Sequence, residues 1–242
     1  MKVMTPELVL SAYSIGLFPM ANDRDDPTIH WIDPIRRGII PLNRFHIPRR
    51  LAKTIRQRRF EITVDTAFGE VIRCCAEPTD ERPRTWLNDE MIGVYELLAA
   101  RGHGHSVEAW QDGRLVGGLY GLAVGGAFFG ESMFSRERDA SKVALVELAS
   151  RLRTSGFVLL DTQFVTSHLR NFGAIEISRQ AYRLRLQRAV AVRTRFPRAT
   201  YSFAFAAAGG TTGPAGASTT GMSAPDDSPV TAASPQSITQ TS

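Results

Sequence analysis

Residues 106–135 read Ser-Val-Glu-Ala-Trp-Gln-Asp-Gly-Arg-Leu-Val-Gly-Gly-Leu-Tyr-Gly-Leu-Ala-Val-Gly-Gly-Ala-Phe-Phe-Gly-Glu-Ser-Met-Phe-Ser, and this stretch decides the fold. Ser106–Trp110 and Leu115–Val124 flank Gln111-Asp112-Gly113-Arg114. Asp-Gly between alternating apolar residues is a hairpin signal. Gly125-Gly126 then turns the chain into Ala127–Met133, which completes an antiparallel meander. Downstream, Asp139–Thr154 predicts a helix with Ala144, Leu145, Leu148, Ala149 and Leu152 on one face, stopped by Gly156. Strand Val158–Gln163, helix Ser167–Phe172, strand Ala174–Ile177 and a basic helix to about Val190 follow.

Upstream, Pro6–Gly16 reads as a short helix with proline in its first turn. A proline-punctuated segment runs to Leu42, then a basic helix from Ile47 to Arg58. Phe60–Val64 alternates like a strand and Ala67–Ala76 like a helix; Asn88 caps another helix through Ala100. The expected class is α/β (α+β), with a small N-terminal domain over residues 1–60 and a sheet domain over 61–190. Residues 191–242 are expected to be a disordered tail without a catalytic role. From about Ala204 the chain is rich in Ala, Gly, Ser, Thr and Pro with Asp226 and Asp227 as its only charges, and it cannot offset the entropy of ordering.

The 242 residues carry a net charge of +5, with 43% hydrophobic and 22% charged residues, ordinary values for a globular chain. No run approaches the roughly 18 apolar residues of a membrane span. Pro6, Ser11, Ser14 and Pro19 interrupt the first apolar stretch, so it reads as a folded helix and not a signal peptide. Cys74 and Cys75 are adjacent, which disfavours a disulfide between them, and a cytoplasmic location is expected.

Two strand ends carry polar groups where hydrocarbon would be expected: Glu131 in Phe128-Phe129-Gly130-Glu131-Ser132-Met133, and Asp161 with Gln163 in Leu159-Leu160-Asp161-Thr162-Gln163. Residues i and i+2 of a strand face one way, so Asp161 and Gln163 should share a space. An unpaired polar group in such a place costs about 2–7 kcal/mol. Either the three groups form a structural network, or they ring a site that grips an apolar group and handles an amine.

Other motifs read more plainly. The glycines from Gly117 to Gly126 lack the Lys-Ser/Thr of a phosphate loop and sit in a hairpin, so they relieve crowding on a bent sheet. His103-Gly104-His105 lacks further ligands at zinc spacing, and neither metal nor cofactor is expected. Arg49, Arg50, Lys53 and Arg56 crowd one short helix, with Arg49, Lys53 and Arg56 on one face. The choice there is a solvated surface or contact with a nucleic-acid backbone. Trp31 and Trp86, each flanked by polar residues, are either core rings or exposed platforms for a base.

Taken together these segments resemble the leucyl/phenylalanyl-tRNA–protein transferases. The matching stretches are Ala12–Met20, Trp31–Pro34 with Arg36 and Arg37, Phe60–Phe68, Thr85-Trp86, Gly102–Glu108, Gly117–Gly121, Gly130–Ser135 with Ala140-Ser141-Lys142, and Asp161-Thr162-Gln163 with His168-Leu169 and Gly173-Ala174. The resemblance covers roughly residues 5–190. It implies a C-terminal domain like the acyl-CoA N-acyltransferases. It also implies transfer of Leu or Phe, less readily Met, from aminoacyl-tRNA to proteins with N-terminal Arg or Lys, marking them for degradation.

By the same correspondence, Asp161 would receive or orient the amine proton, Gln163 would orient the ester, and Glu131 would hold the donor ammonium. Leu119, Phe128, Leu145, Leu148 and Leu160 would line the donor pocket beside Ser132 and Met133. Trp31, Trp86, Arg49, Arg50, Lys53 and Arg56 would receive the tRNA, with the chain acting as a monomer away from membranes. Leu119 stands where some members have Met, and Thr166 where some have Asn. The alternatives are an acyl-CoA-dependent N-acyltransferase, whose phosphate turn would differ from Ser135–Ser141 in carrying glycine, and a non-catalytic RNA-binding protein.

Overall fold

Asp112 and Gly113 both adopt positive φ (52° and 72°), the geometry of a two-residue hairpin turn whose twist matches its strands. The turn joins β5 (Gly104–Gln111) to β6 (Arg114–Val124), and β6 continues through Gly125-Gly126 into β7 (Ala127–Ser135). In this computed structural model, which describes residues 4–79 and 83–198, the meander is the centre of the molecule. Before it come α1 (Pro6–Ser14), β1 (Phe18–Ala21), β2 (Ile29–Ile32), β3 (Arg36–Ile39), α2 (Arg49–Arg56), β4 (Glu61–Val64), α3 (Phe68–Ala76) and α4 (Asp89–Ala100). After it come α5 (Ala140–Thr154), β8 (Leu159–Gln163), α6 (Ser167–Arg170), β9 (Ile175–Ser178) and α7 (Arg179–Val190).

Seven strands form one sheet in the order β4-β5-β6-β7-β8-β3-β9, while β1 and β2 pair separately. Only β7 and β8 run parallel; α5 makes the crossover that a parallel pair requires. The two faces of the sheet are both apolar. Phe129 and Tyr120 face Tyr13, Tyr95 and Tyr182 on one side, whereas Phe128 and Leu119 face Leu145 and Leu148 on the other. The fold is thus mixed α/β, with a small N-terminal part ahead of a mixed sheet.

The glycines of β6 serve close approach. A Cβ on Gly117 would lie 2.5 Å from that of Ala140, and one on Gly121 would lie 2.2 Å from the Phe129 carbonyl oxygen.

Two segments differ from the sequence reading. β3, Arg-Arg-Gly-Ile, lies in the stretch read only as punctuated by prolines, and it sits between β8 and β9. Its composition has little strand propensity. Pairing on both edges, Gly38 with Gln163 and Arg37 with Ile177, holds it instead. The sheet therefore draws strands from both sides of the expected boundary at residue 60.

The tail expected to begin at 191 is anchored through residue 198. Phe196, 7% exposed, stacks on His105 with ring centroids 4.2 Å apart. Arg151 donates to the Pro197 carbonyl at 3.0 Å, and Arg198 pairs with Asp65 at 2.8 Å. A large apolar ring and two polar contacts together tie this segment to the core. The rest of the expected tail, from 199 on, lies outside the described residues.

Cys74 and Cys75 are both buried on α3 and are not joined in a disulfide. Among the described residues no helix is long and apolar enough to cross a membrane.

Candidate active site

Because β7 and β8 are parallel, their C-terminal ends finish at the same edge of the sheet, and a cavity of about 970 Å³ opens there. Leu119, Met133, Leu145, Leu148 and Leu160 give it an apolar end, and Ser132 also lines it. Phe128 does not. It lies on the same face as Leu145 and Leu148 but is fully buried near the start of β7, where it packs against Phe196. Its assignment to the donor pocket is corrected accordingly.

Phe18, Met20, Trp86, Phe134 and Phe164 also border the cavity, with Arg136, Arg138 and Lys142 among its charged lining. These cations have acidic neighbours: Arg136 pairs with Glu77 at 3.0 Å and Lys142 with Asp139 at 2.6 Å.

Glu131 and Gln163 meet at this cavity. The Gln163 carboxamide donates from Nε2 to Glu131 Oε1 at 3.2 Å, and Tyr95 donates to Oε2 at 3.3 Å. The Tyr13 hydroxyl lies 2.7 Å from that of Tyr95, so two buried phenols stand behind the carboxyl. Burial pushes the Glu131 carboxyl up to about 8; the Tyr13 and Tyr95 hydroxyls and Arg37 pull the other way, and the charge of Asp161 adds to the rise. Burial thus favours the neutral form of this carboxyl, and a cation placed against it would favour the carboxylate.

Asp161 occupies a different position from the one expected. It is completely buried and does not line the cavity. Arg37 grips it through Nε (3.0 and 3.1 Å) and Nη2 (2.7 Å), and Tyr182 donates to Oδ2 at 2.6 Å. Its Oδ1 accepts the Gln163 backbone N–H at 2.8 Å. With both oxygens taken, Asp161 has no direct line to an incoming amine. Regular alternation breaks at Gln163, the last residue of β8, whose φ of +55° is a left-handed conformation costing a non-glycine residue about 1–2 kcal/mol. That turn sends its side chain toward Glu131 while Asp161 stays behind.

The proposed tRNA contacts divide. Trp86 borders the cavity, whereas Trp31 pairs with Pro19 in the small sheet and is half-buried against the core outside the cavity lining. Arg49, Arg50, Lys53 and Arg56 are all exposed on α2, with Leu51 anchoring the opposite face. Thr166 caps α6, accepting from the Leu169 N–H at 3.2 Å.

The sequence reading missed Arg37, Tyr182, Tyr13 and Tyr95 as parts of this site. Tyr13 and Arg37 lie inside stretches that carried the family resemblance, which was the available signal. Phe164, half-exposed beside Gln163 and 5.9 Å from the Phe18 ring, was missed as well.

Comparison with known proteins bears directly on this arrangement. Residues 39–187 match the family described as "Leucyl/phenylalanyl-tRNA protein transferase", and residues 3–35 match its N-terminal domain. A leucyl/phenylalanyl-tRNA–protein transferase of Paramagnetospirillum magneticum is 58% identical over 198 residues, covering 82% of this chain and 95% of that protein. One from Rhizorhabdus wittichii is 58% identical over 182 residues, covering 75% and 73%. Among solved structures, the C-terminal domain of an Agrobacterium fabrum protein provisionally named lysylphosphatidylglycerol synthetase aligns with a TM-score of 0.37 at 11% identity, covering 75% of this chain and 62% of that one.

The matches define a transferase that uses aminoacyl-tRNA. The chain belongs to the leucyl/phenylalanyl-tRNA–protein transferase family. The boundary between the two family matches falls on β3, after residue 35 and before residue 39.

Proposed function

We propose that this enzyme moves Leu or Phe, and less readily Met, from the 3′ end of aminoacyl-tRNA to the α-amino group of proteins beginning with Arg or Lys. The modified proteins are thereby marked for degradation in the cytoplasm. The observation that carries the reading is the meeting of Glu131 and Gln163 beside an apolar cavity end. A leucine or phenylalanine side chain suits hydrocarbon walls, which discriminate by only about 1–3 kcal/mol per methylene. Its free ammonium suits Glu131 as a charge-assisted pair.

The donor ester is already activated, so the enzyme needs to orient its reactants more than to supply a nucleophile. The acceptor α-amino group, with an ordinary pKa of about 8, loses a proton near neutral pH without a strong base. Its nitrogen then bonds to the ester carbonyl carbon as the C–O bond to the ribose breaks. The nitrogen sheds one further proton, and the departing ribose oxygen gains one. Gln163 is suited to orient the ester and to steady charge at the carbonyl, with Asp161 acting from behind it. Trp86 and Trp31 would stack tRNA bases, and α2 would meet the backbone phosphates.

The test is transfer of labelled Leu from charged tRNA to a peptide with N-terminal Arg, beside a matched peptide with N-terminal Ala. Label on the Arg peptide alone supports the reading. Equal labelling of both, or of neither, removes the proposed acceptor class.

A further inference from the structure

Arg37 carries a charge to the interior of the protein, where it is 1% exposed. A cation so placed needs a partner with good geometry, and the planar fork of Arg supplies it against a carboxylate. Nε and Nη2 face Asp161, while Nη1 donates to the Gly16 carbonyl at 3.0 Å. The guanidinium lies between two rings, 4.5 Å from the Phe18 centroid and 4.6 Å from that of Tyr182. Burial works against its charge, but Asp161 outweighs burial and the group is held protonated.

This geometry decides what Asp161 can do. Oδ2 is taken by Arg37 and Tyr182, and Oδ1 by Arg37 and the Gln163 N–H. That last bond spans two residues and closes the left-handed turn at Gln163.

We propose that Arg37 is a positioning residue for the transfer reaction. It fixes the Asp161 carboxylate in one orientation, Asp161 fixes the Gln163 backbone, and the Gln163 carboxamide is thereby aimed at Glu131. Through Gly16 and Phe18, Arg37 also ties the N-terminal part of the chain to the reaction centre. The inference rests on the reading of Gln163 given above, and it adds a residue that never touches substrate.

The experiment is a kinetic double-mutant cycle between Arg37→Gln and Gln163→Ala, with kcat and the KM for Phe-tRNA measured separately. Arg37→Gln alone should lower kcat about 10-fold or more while KM stays within about twofold, since the tRNA surfaces are untouched. In the Gln163→Ala background the same change should have an effect of about twofold or less, because its route to the chemistry is gone. Tyr182→Phe removes one bond to Asp161 at small steric cost. It should lower kcat in the same pattern, and it serves as the second variant should Arg37→Gln fail to fold.

Equal fold losses in both backgrounds, or a KM rise matching the kcat loss, would overturn the positioning role. If Gln163→Ala itself leaves transfer intact, the assignment of the reaction centre falls, and the role of Arg37 falls with it. If Gln163→Ala is impaired and the Arg37 effect is additive, only the present inference is lost.

Discussion

Gln163 and Glu131, 32 residues apart in sequence, share one hydrogen bond of 3.2 Å at the cavity, with the carboxamide as donor and the carboxyl as acceptor. The pair couples the proposed ester-orienting group to the proposed ammonium-binding group. A change in the ionisation of Glu131 is therefore felt by Gln163.

That coupling predicts proton release. The carboxyl is pushed up to about 8, so at pH 7 the protonated form is favoured. A donor α-ammonium stabilises the carboxylate, and the displaced proton leaves to solvent. Titration with a non-hydrolysable 3′-aminoacylamido-adenosine at pH 7, in buffers of differing ionisation enthalpy, should show roughly 0.5–1 proton released per site. Glu131→Gln should release none and bind more weakly. A wild-type value of zero would show that the ammonium goes elsewhere.

The same carboxyl sets a pH dependence of stability. Its folded-state value lies above the ordinary 4.5, so between pH 4.5 and about 8 the folded protein holds a proton that the unfolded chain has lost. The stability this group contributes is complete below 4.5 and is lost as pH rises through about 8. At ~1.4 kcal/mol per pKa unit, wild type should lose on the order of 4 kcal/mol relative to Glu131→Gln from pH 4.5 to 8.5. Urea midpoints of the two proteins at these pH values give the difference. Parallel pH curves for both would contradict it.

Leu160 and Phe128 should separate selectivity from stability. They pair across β7 and β8 and both belong to the core, but only Leu160 lines the cavity. Leu160→Ala should change the ratio of Phe to Leu transfer by about 5-fold or more, as expected for an altered hydrocarbon wall. Phe128→Ala should cost about 3–5 kcal/mol of stability and leave the ratio near its original value. Competition between the two charged tRNAs provides the readout, and the opposite pattern would move the donor pocket.

The exposed face of α2 should report on tRNA alone. Replacing Arg49, Lys53 and Arg56 with Ala should weaken tRNA binding and flatten the slope of log affinity against log salt, by about 0.7–0.9 per lost phosphate contact. The melting temperature should hold, since all three side chains are exposed. An unchanged slope in filter binding would exclude this surface.

The parts legible in the sequence were those with local causes. Asp112-Gly113 announced its own turn, Asn88 its helix, and the face of α5 its packing, because each is settled by neighbours a few residues away. The polar groups of Glu131 and Gln163 were legible for a related reason: they break a short-range apolar pattern. What stayed hidden depends on distant partners. β3 has no strand character of its own and is made by β8 and β9. Asp161 could be placed near the site by spacing, but its enclosure by Arg37 and Tyr182 belongs to the tertiary structure. Phe196 looked like the start of a tail until the pocket formed by His105, Phe128 and Phe157 was present.

The insertion of β3 beside β8 also has a temporal meaning. Arg37 and Asp161 are 124 residues apart, and Tyr182 comes a further 21 residues along. Contacts of such sequence separation carry a large loop-closure entropy cost. During synthesis the meander can assemble while the strand carrying Arg37 still waits for its neighbours. The clasp around Asp161 cannot be complete until Tyr182 has emerged.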